Sequence, residues 1–162
     1  MAEMFGNGND FDRKAFGLSA IAGMRSMAAL ALLAQDVTRR QPGTLDGTAF
    51  AWLKSPRAAV ILAALALGEM LMDKTPFVPA RIMPGPLSGR MASGALVGAA
   101  LNAERGEDSA QGAIRGAMIA GLATLAAYVV RMALGREITN VGAGLVEDGV
   151  VLSYGFDLIE RP

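Results

Sequence analysis

Residues 15–34 read AFGLSAIAGMRSMAALALLA, and the fold class turns on how this stretch is taken. About 20 apolar residues at 1.5 Å each cross a ~30 Å hydrocarbon core. One charge, Arg25, interrupts the run, so the stretch reads as a first membrane span with an ionisable residue inside it.

Upstream, residues 1–14 form a polar tail of mixed charge, with Asp10, Asp12, Arg13 and Lys14. No small-residue cleavage site follows a short apolar core, so the tail does not read as a cleaved signal peptide. Downstream, a polar stretch from Gln35 to Pro56 carries the breakers Pro42, Gly43 and Gly47, and Trp52 near its end suits an interfacial anchor. A second apolar run, Arg57 to Met72, is short for a span and is ended by Asp73-Lys74-Thr75-Pro76. Pro76, Pro79, Pro84 and Pro86 follow, which predicts a Pro-rich loop rather than a regular helix through residue 86. A third run, Leu87 to Ala103, is diluted by glycine; a fourth, Gly112 to Leu134, is strongly apolar; a fifth, Val141 to Ile159, carries Glu147 and Asp148 near its middle. The expectation is an all-α integral membrane helix bundle of four to five transmembrane helices. The Pro-rich loop falls between the second and third, and one domain covers 1–162 with its bundle at 15–159.

Composition points the same way. Hydrophobic residues make up 52%, charged residues 19%, and the mean hydropathy is +0.37, whereas soluble domains carry about 25% charged residues. The chain holds no cysteine and no histidine, which excludes disulfides, thiolate chemistry, imidazole catalysis and zinc sites built on those ligands. No cofactor or metal is expected. Serines without a histidine partner, and acids inside a bundle with few aromatic platforms, argue against hydrolytic catalysis, and the chain is not expected to be an enzyme. Net charge is zero and no basic stripe appears, so nucleic acid is not an expected partner; the lipid bilayer is. Lys and Arg fall evenly on the two sides of a five-span arrangement, which leaves orientation open and is compatible with a dual-topology homodimer.

Two kinds of residue stand out. Gly94 with Gly98, and Gly112 with Gly116, form GxxxG pairs that let helix backbones approach closely, within one protomer or in a homo-oligomer. The second kind is charge within or beside the spans: Arg25 with its neighbour Ser26, Glu69, Asp73, Lys74, Arg90, Glu147 and Asp148. A charge at the centre of a span costs about 2.5–3.5 kcal/mol on insertion scales, so such residues imply pairing or a water-filled cavity. Glu69 and Asp73 share a helix face, while Glu147 and Asp148 diverge by about 100°, so at most one faces a given cavity. Two readings stay open: a path for a cation or proton with Arg25 as counter-charge, and a set of buried ion pairs that fixes helix register.

Several stretches resemble a bacterial membrane-protein family known as domain of unknown function 4126. They are Gly17 to Ser26, Gly68-Glu69 with Asp73-Lys74-Thr75-Pro76, Gly89-Arg90 with Ser93-Gly94-Ala95, and Leu145-Val146-Glu147-Asp148. The resemblance implies a multi-pass protein of the cytoplasmic (inner) membrane and supplies no activity. The functional expectation is a small channel or transporter for an ion or small solute. The alternative is a non-transporting scaffold or accessory subunit packed through its small-residue helix faces.

Overall fold

A computed structural model describes residues 2–72, 84–134 and 140–160. The described residues form six α-helices: α1 (Ala2–Met24), α2 (Ser26–Arg40), α3 (Pro56–Met72), α4 (Pro84–Arg105), α5 (Ser109–Leu134) and α6 (Asn140–Glu160). Two short 3₁₀ turns, Gly43–Leu45 and Ala51–Lys54, join α2 to α3. There is no strand among the described residues.

The stretch 15–34 is not one span. Its helix breaks at Arg25, whose backbone is extended (φ −143°, ψ 103°). The Lys14 ammonium lies 3.2 Å from the Asp36 carboxylate, and these residues stand equally far from Arg25 on its two sides. An unbroken helix would hold them ~33 Å apart. α1 and α2 therefore fold back on each other as a helical hairpin with Arg25 at its tip, and the arms from Lys14 and Asp36 to the tip are each ~16 Å long. The polar tail is likewise no separate segment, since α1 begins at Ala2.

The hairpin is the centre of the molecule. Ala28 to Ala34 of α2 are buried without a gap, and a helix apolar on all sides belongs inside. α4 packs against both arms, α6 also meets both, α5 lies beside α1 and α4, and α3 lies beside α2. α3 turns Ala59, Leu62, Ala66 and Met70 inward, the spacing of one helix face.

α4 and α5 approach backbone to backbone. A Cβ on Gly94 would strike the Gly116 carbonyl and one on Gly98 the Gly112 carbonyl, with the reverse contacts equally close. The two GxxxG pairs thus face each other inside one protomer. α4 begins at Pro84, three residues before the predicted start. Pro84 and Pro86 sit in the first turn, where a helix needs no N–H donor from them. The remaining prolines of the expected loop, Pro76 and Pro79, lie outside the described residues. At the other end of α4, Gly106 takes φ +71°, and the Asp108 carboxylate accepts the Ala110 N–H at 2.8 Å to start α5.

Charges gather where α2, α4 and α6 end and α3 and α5 begin. Arg13 pairs with Asp157 at 2.7 Å, Arg40 with Asp36 at 2.6 Å and with Glu104, and Arg105 with Asp12 at 2.9 Å. Among the described residues, large apolar side chains lie exposed on three helices. Ile114, Met118, Leu122, Leu125, Val129 and Met132 form an outward stripe on α5; Val60, Ile61, Leu65, Leu67 and Leu71 do so on α3, and Leu145, Val146, Val150 and Leu152 on α6. By length and composition, one helix among the described residues, α5 over Ser109–Ala133, can cross a membrane.

Candidate functional site

The tip of the hairpin interrupts a helix inside the bundle, which leaves the last carbonyls of α1 and the first N–H groups of α2 without helical partners. Four other helices answer, each with one polar side chain. From α3, Glu69 accepts the Ser26 N–H on one carboxylate oxygen at 3.0 Å and the Met27 N–H on the other at 2.8 Å. A carboxylate there also meets the positive end of the α2 dipole. From α4, the Ser93 hydroxyl donates to the Ser26 carbonyl at 2.6 Å. From α5, the Thr124 hydroxyl lies 2.8 Å from the Gly23 carbonyl and as close to the Ala120 carbonyl of its own helix. From α6, Asp148 stands 2.7 Å from the Arg25 guanidinium.

Arg25 is 1% exposed and Asp148 7%, so this ion pair is withdrawn from solvent. Both charges carry a desolvation cost that only their mutual attraction and hydrogen bonding offset. The tip also needs space: a Cβ on Gly23 would collide with the Ala120 carbonyl of α5, so only glycine lets α1 come this close.

The structure therefore brings Arg25, Ser26, Glu69 and Asp148 together. Ser26 enters through its main chain. Arg90 is buried on α4 one turn before Ser93 and Gly94. Glu147, next to Asp148, faces elsewhere and pairs with Arg131 of α5 at 3.1 Å, as the ~100° divergence of adjacent helical residues requires. Asp73 and Lys74 lie outside the described residues. Gly94, Gly98, Gly112 and Gly116 serve the α4–α5 contact.

Ser93, Thr124 and Arg131 complete the arrangement, and the site residues expected from the sequence do not include them. Ser93 had a signal, because it stands in the Ser93-Gly94-Ala95 stretch of the family resemblance. Thr124 and Arg131 had none: a lone hydroxyl in an apolar helix and a basic residue near a helix end are ordinary.

Two of the cavities border charged residues, one far from the tip and one beside it. One of about 410 Å³, at the charged end, is lined by Arg13, Lys14, Asp36, Arg40 and Asp157. There the Glu104 carboxylate, with Asp36 beside it, outweighs burial and raises the Arg40 pKa further above its already high ordinary value, so this cation does not titrate in any working range. The other, of about 370 Å³, lies between α5 and α6 under the Arg131–Glu147 pair and reaches Met24 at the end of α1. Among the described residues, no group of three or more acids is placed to hold a metal ion.

No curated protein and no solved structure matches the chain. The chain belongs to the family described as Domain of unknown function (DUF4126), whose model matches residues 14–159, a stretch that runs from the first arm of the hairpin to the end of α6 and contains every residue of the polar centre.

Proposed function

We propose that the chain is a multi-pass protein of the cytoplasmic membrane in which α3, α4, α5 and α6 cross the bilayer and the α1–α2 hairpin dips in and returns. The apolar stripes on α3, α5 and α6 support this, since soluble monomers rarely expose such continuous apolar area. The hairpin arms, ~16 Å each, are half the ~30 Å core, so the tip lies at depth. Broken helices are tolerated there when protein or a water-filled cavity surrounds them.

The hairpin also changes the charge count that left orientation open. Arg13 and Lys14 now share a side with Arg39, Arg40, Lys54, Arg57 and Arg105. By sequence the two links at the opposite end hold Lys74, Arg81 and Arg136. The positive-inside rule then puts the charged end, with both termini, in the cytoplasm. This count favours one orientation, where the balanced count was compatible with a dual-topology homodimer. A homo-oligomer would need a surface other than the four glycines packed between α4 and α5.

The function this arrangement supports best is movement of an ion or small solute. Its single strongest support is the break at Arg25: two helix ends meet in the interior, ringed by Glu69, Ser93, Thr124 and Asp148, and discontinuous helices of this kind form the ion and substrate sites of secondary transporters. Glu69 and Asp148 act as the binding or relaying carboxylates, with Arg25 as the counter-charge beside Asp148. A liposome flux assay over protons, alkali and alkaline-earth cations and halides tests it, with Glu69→Gln and Asp148→Asn as variants. Flux that disappears in inserted, folded variants supports the pathway. A second reading, a non-transporting scaffold, draws on the fact that the Glu69, Ser93 and Thr124 contacts all go to the break itself. Absence of flux for every ion selects it.

A further inference from the structure

One face of α6 runs along the hairpin from its tip to its open end. Asp148, Val151, Gly155 and Leu158 follow one another at steps of three and four residues and are all buried, and α6 meets both arms. The two ends of this face are charged places. At the tip, Asp148 pairs with Arg25. Ten residues on, ~15 Å along the helix, Leu158 borders the cavity of about 410 Å³ whose walls carry Arg13, Lys14, Asp36 and Asp157.

Between these ends the hairpin and α6 close on each other through two leucines, each resting on a glycine of the facing helix. Leu32 of α2 fills the place of a Cβ on Gly155, with Ile21 of α1 beside it, and Leu158 fills the place of a Cβ on Gly17 of α1. Gly155 and Leu32 each stand seven residues from their partner in the ion pair, so the first contact lies ~10 Å from it, and the second lies ~5 Å further out. These contacts differ in kind from those between α4 and α5. There a Cβ would meet backbone, whereas here it meets the ends of side chains, which turn aside by changing rotamer. Leu158 also has the cavity beside it to turn into. Near this end α6 is tied to α1 by the Arg13–Asp157 pair, whose side chains keep 40% and 35% of their surface exposed, and a pair so open to solvent holds weakly.

We propose that the cavity at the charged end is the cytoplasmic vestibule of a route to the Arg25–Asp148 pair, and that Leu158 on Gly17 and Leu32 on Gly155 are its gate, closed in this structure. The proposal rests on the transport reading above and adds where the solute enters and what keeps it out. The gate opens when Leu158 turns into the vestibule and Leu32 leaves Gly155. Val151, wholly buried and one turn from Asp148, then meets water.

The test uses the full chain, which has no cysteine of its own, in inside-out membrane vesicles with a charged, membrane-impermeant thiosulfonate added on the cytoplasmic face. Ile159→Cys, at a residue lining the cavity, is expected to react readily, and Val151→Cys slowly. Gly17→Ala and Gly155→Ala each put a methyl group where a leucine now rests. Each is expected to speed the Val151→Cys reaction about tenfold, equivalent to ~1.4 kcal/mol against the closed state. Val97→Cys, buried on α4, is expected to stay slow in both, which tells an opened gate from a loosened bundle. Val151→Cys reactivity that neither glycine variant changes overturns the gate, as does a rise that Val97→Cys shares. An Ile159→Cys that reacts only after denaturation overturns the vestibule. Ion flux through liposomes is expected to rise in the same two glycine variants. Labelling as expected with no flux of any ion overturns the transport reading alone, whereas flux that Glu69→Gln abolishes, with Val151→Cys unresponsive to both glycine variants, overturns the gate alone.

Discussion

Replacing Asp148 by Asn asks what the buried ion pair at the hairpin tip contributes. Arg25 is 1% exposed and its guanidinium lies 2.7 Å from the Asp148 carboxylate. At an effective dielectric of ~20, unit charges ~4 Å apart attract by about 4 kcal/mol, and removing one partner of a buried pair costs about 3–5 kcal/mol because the other charge stays buried. For a chain of this length, each kcal/mol moves the melting midpoint by about 2–4 °C. Asp148→Asn is therefore expected to lower it by roughly 10 °C, followed through the fluorescence of the single Trp52. The double variant Arg25→Met with Asp148→Leu removes both charges and is expected to recover most of that loss, since apolar replacement of a whole buried pair is often neutral or stabilising. If Asp148→Asn melts with the parent, or if the double variant is no better than the single, the pair does not hold the tip and the reasoning fails.

Cysteines placed at Lys14 and Asp36, in a chain that has no others, are expected to join through a bifunctional maleimide of about 10 Å reach, against the ~33 Å separation of an unbroken helix; tryptic peptides that remain linked across residue 25 are the readout. Gly98→Leu is expected to abolish stable folding or to cost more than the ~1–3 kcal/mol of ordinary overpacking, because its side chain meets the Gly112 backbone rather than a movable side chain; protein yield and melting temperature report it, and a parent-like variant would dismiss the α4–α5 contact. Green fluorescent protein fused to either terminus is expected to fluoresce, while alkaline phosphatase inserted at residue 137 is expected to be active; the opposite pattern would invert the orientation argued from the charged end.

The four outer helices were legible because each is a continuous apolar run with a charged or glycine-rich stop, and α3, α5 and α6 begin and end within about three residues of the runs. The start of α4 was missed for a local reason, since Pro84 and Pro86 break a helix only beyond its first turn. The hairpin was illegible for a non-local one. Between Met24 and Ser26 there is no proline and no turn sequence, and nothing nearby in the chain stops the helix. What stops it is Glu69 on the α2 N–H groups, Thr124 on the Gly23 carbonyl and Asp148 on Arg25, partners 42 to 123 residues away. The one local sign was Arg25 itself, a charge in the middle of an apolar run whose cost demanded a partner. Charge alone could not say whether that partner faced a straight helix or a break.

Stability does not explain why the break carries charge. A hairpin between two apolar helices closes with glycine or a polar turn at the surface, as the Gly106 turn between α4 and α5 does here. Placing Arg25 and Asp148 at the tip instead burdens the interior with two desolvated ions, which well-packed apolar residues can often replace at no loss. Glu69, bound to two N–H groups of α2, adds a third charge to the same centre. The Arg25→Met, Asp148→Leu variant therefore separates the readings of the centre. If it folds as well as the parent and passes no ion that the parent passes, the charges are there for the solute. If the parent passes nothing and the double variant is the more stable protein, they serve to fix one arrangement of six helices.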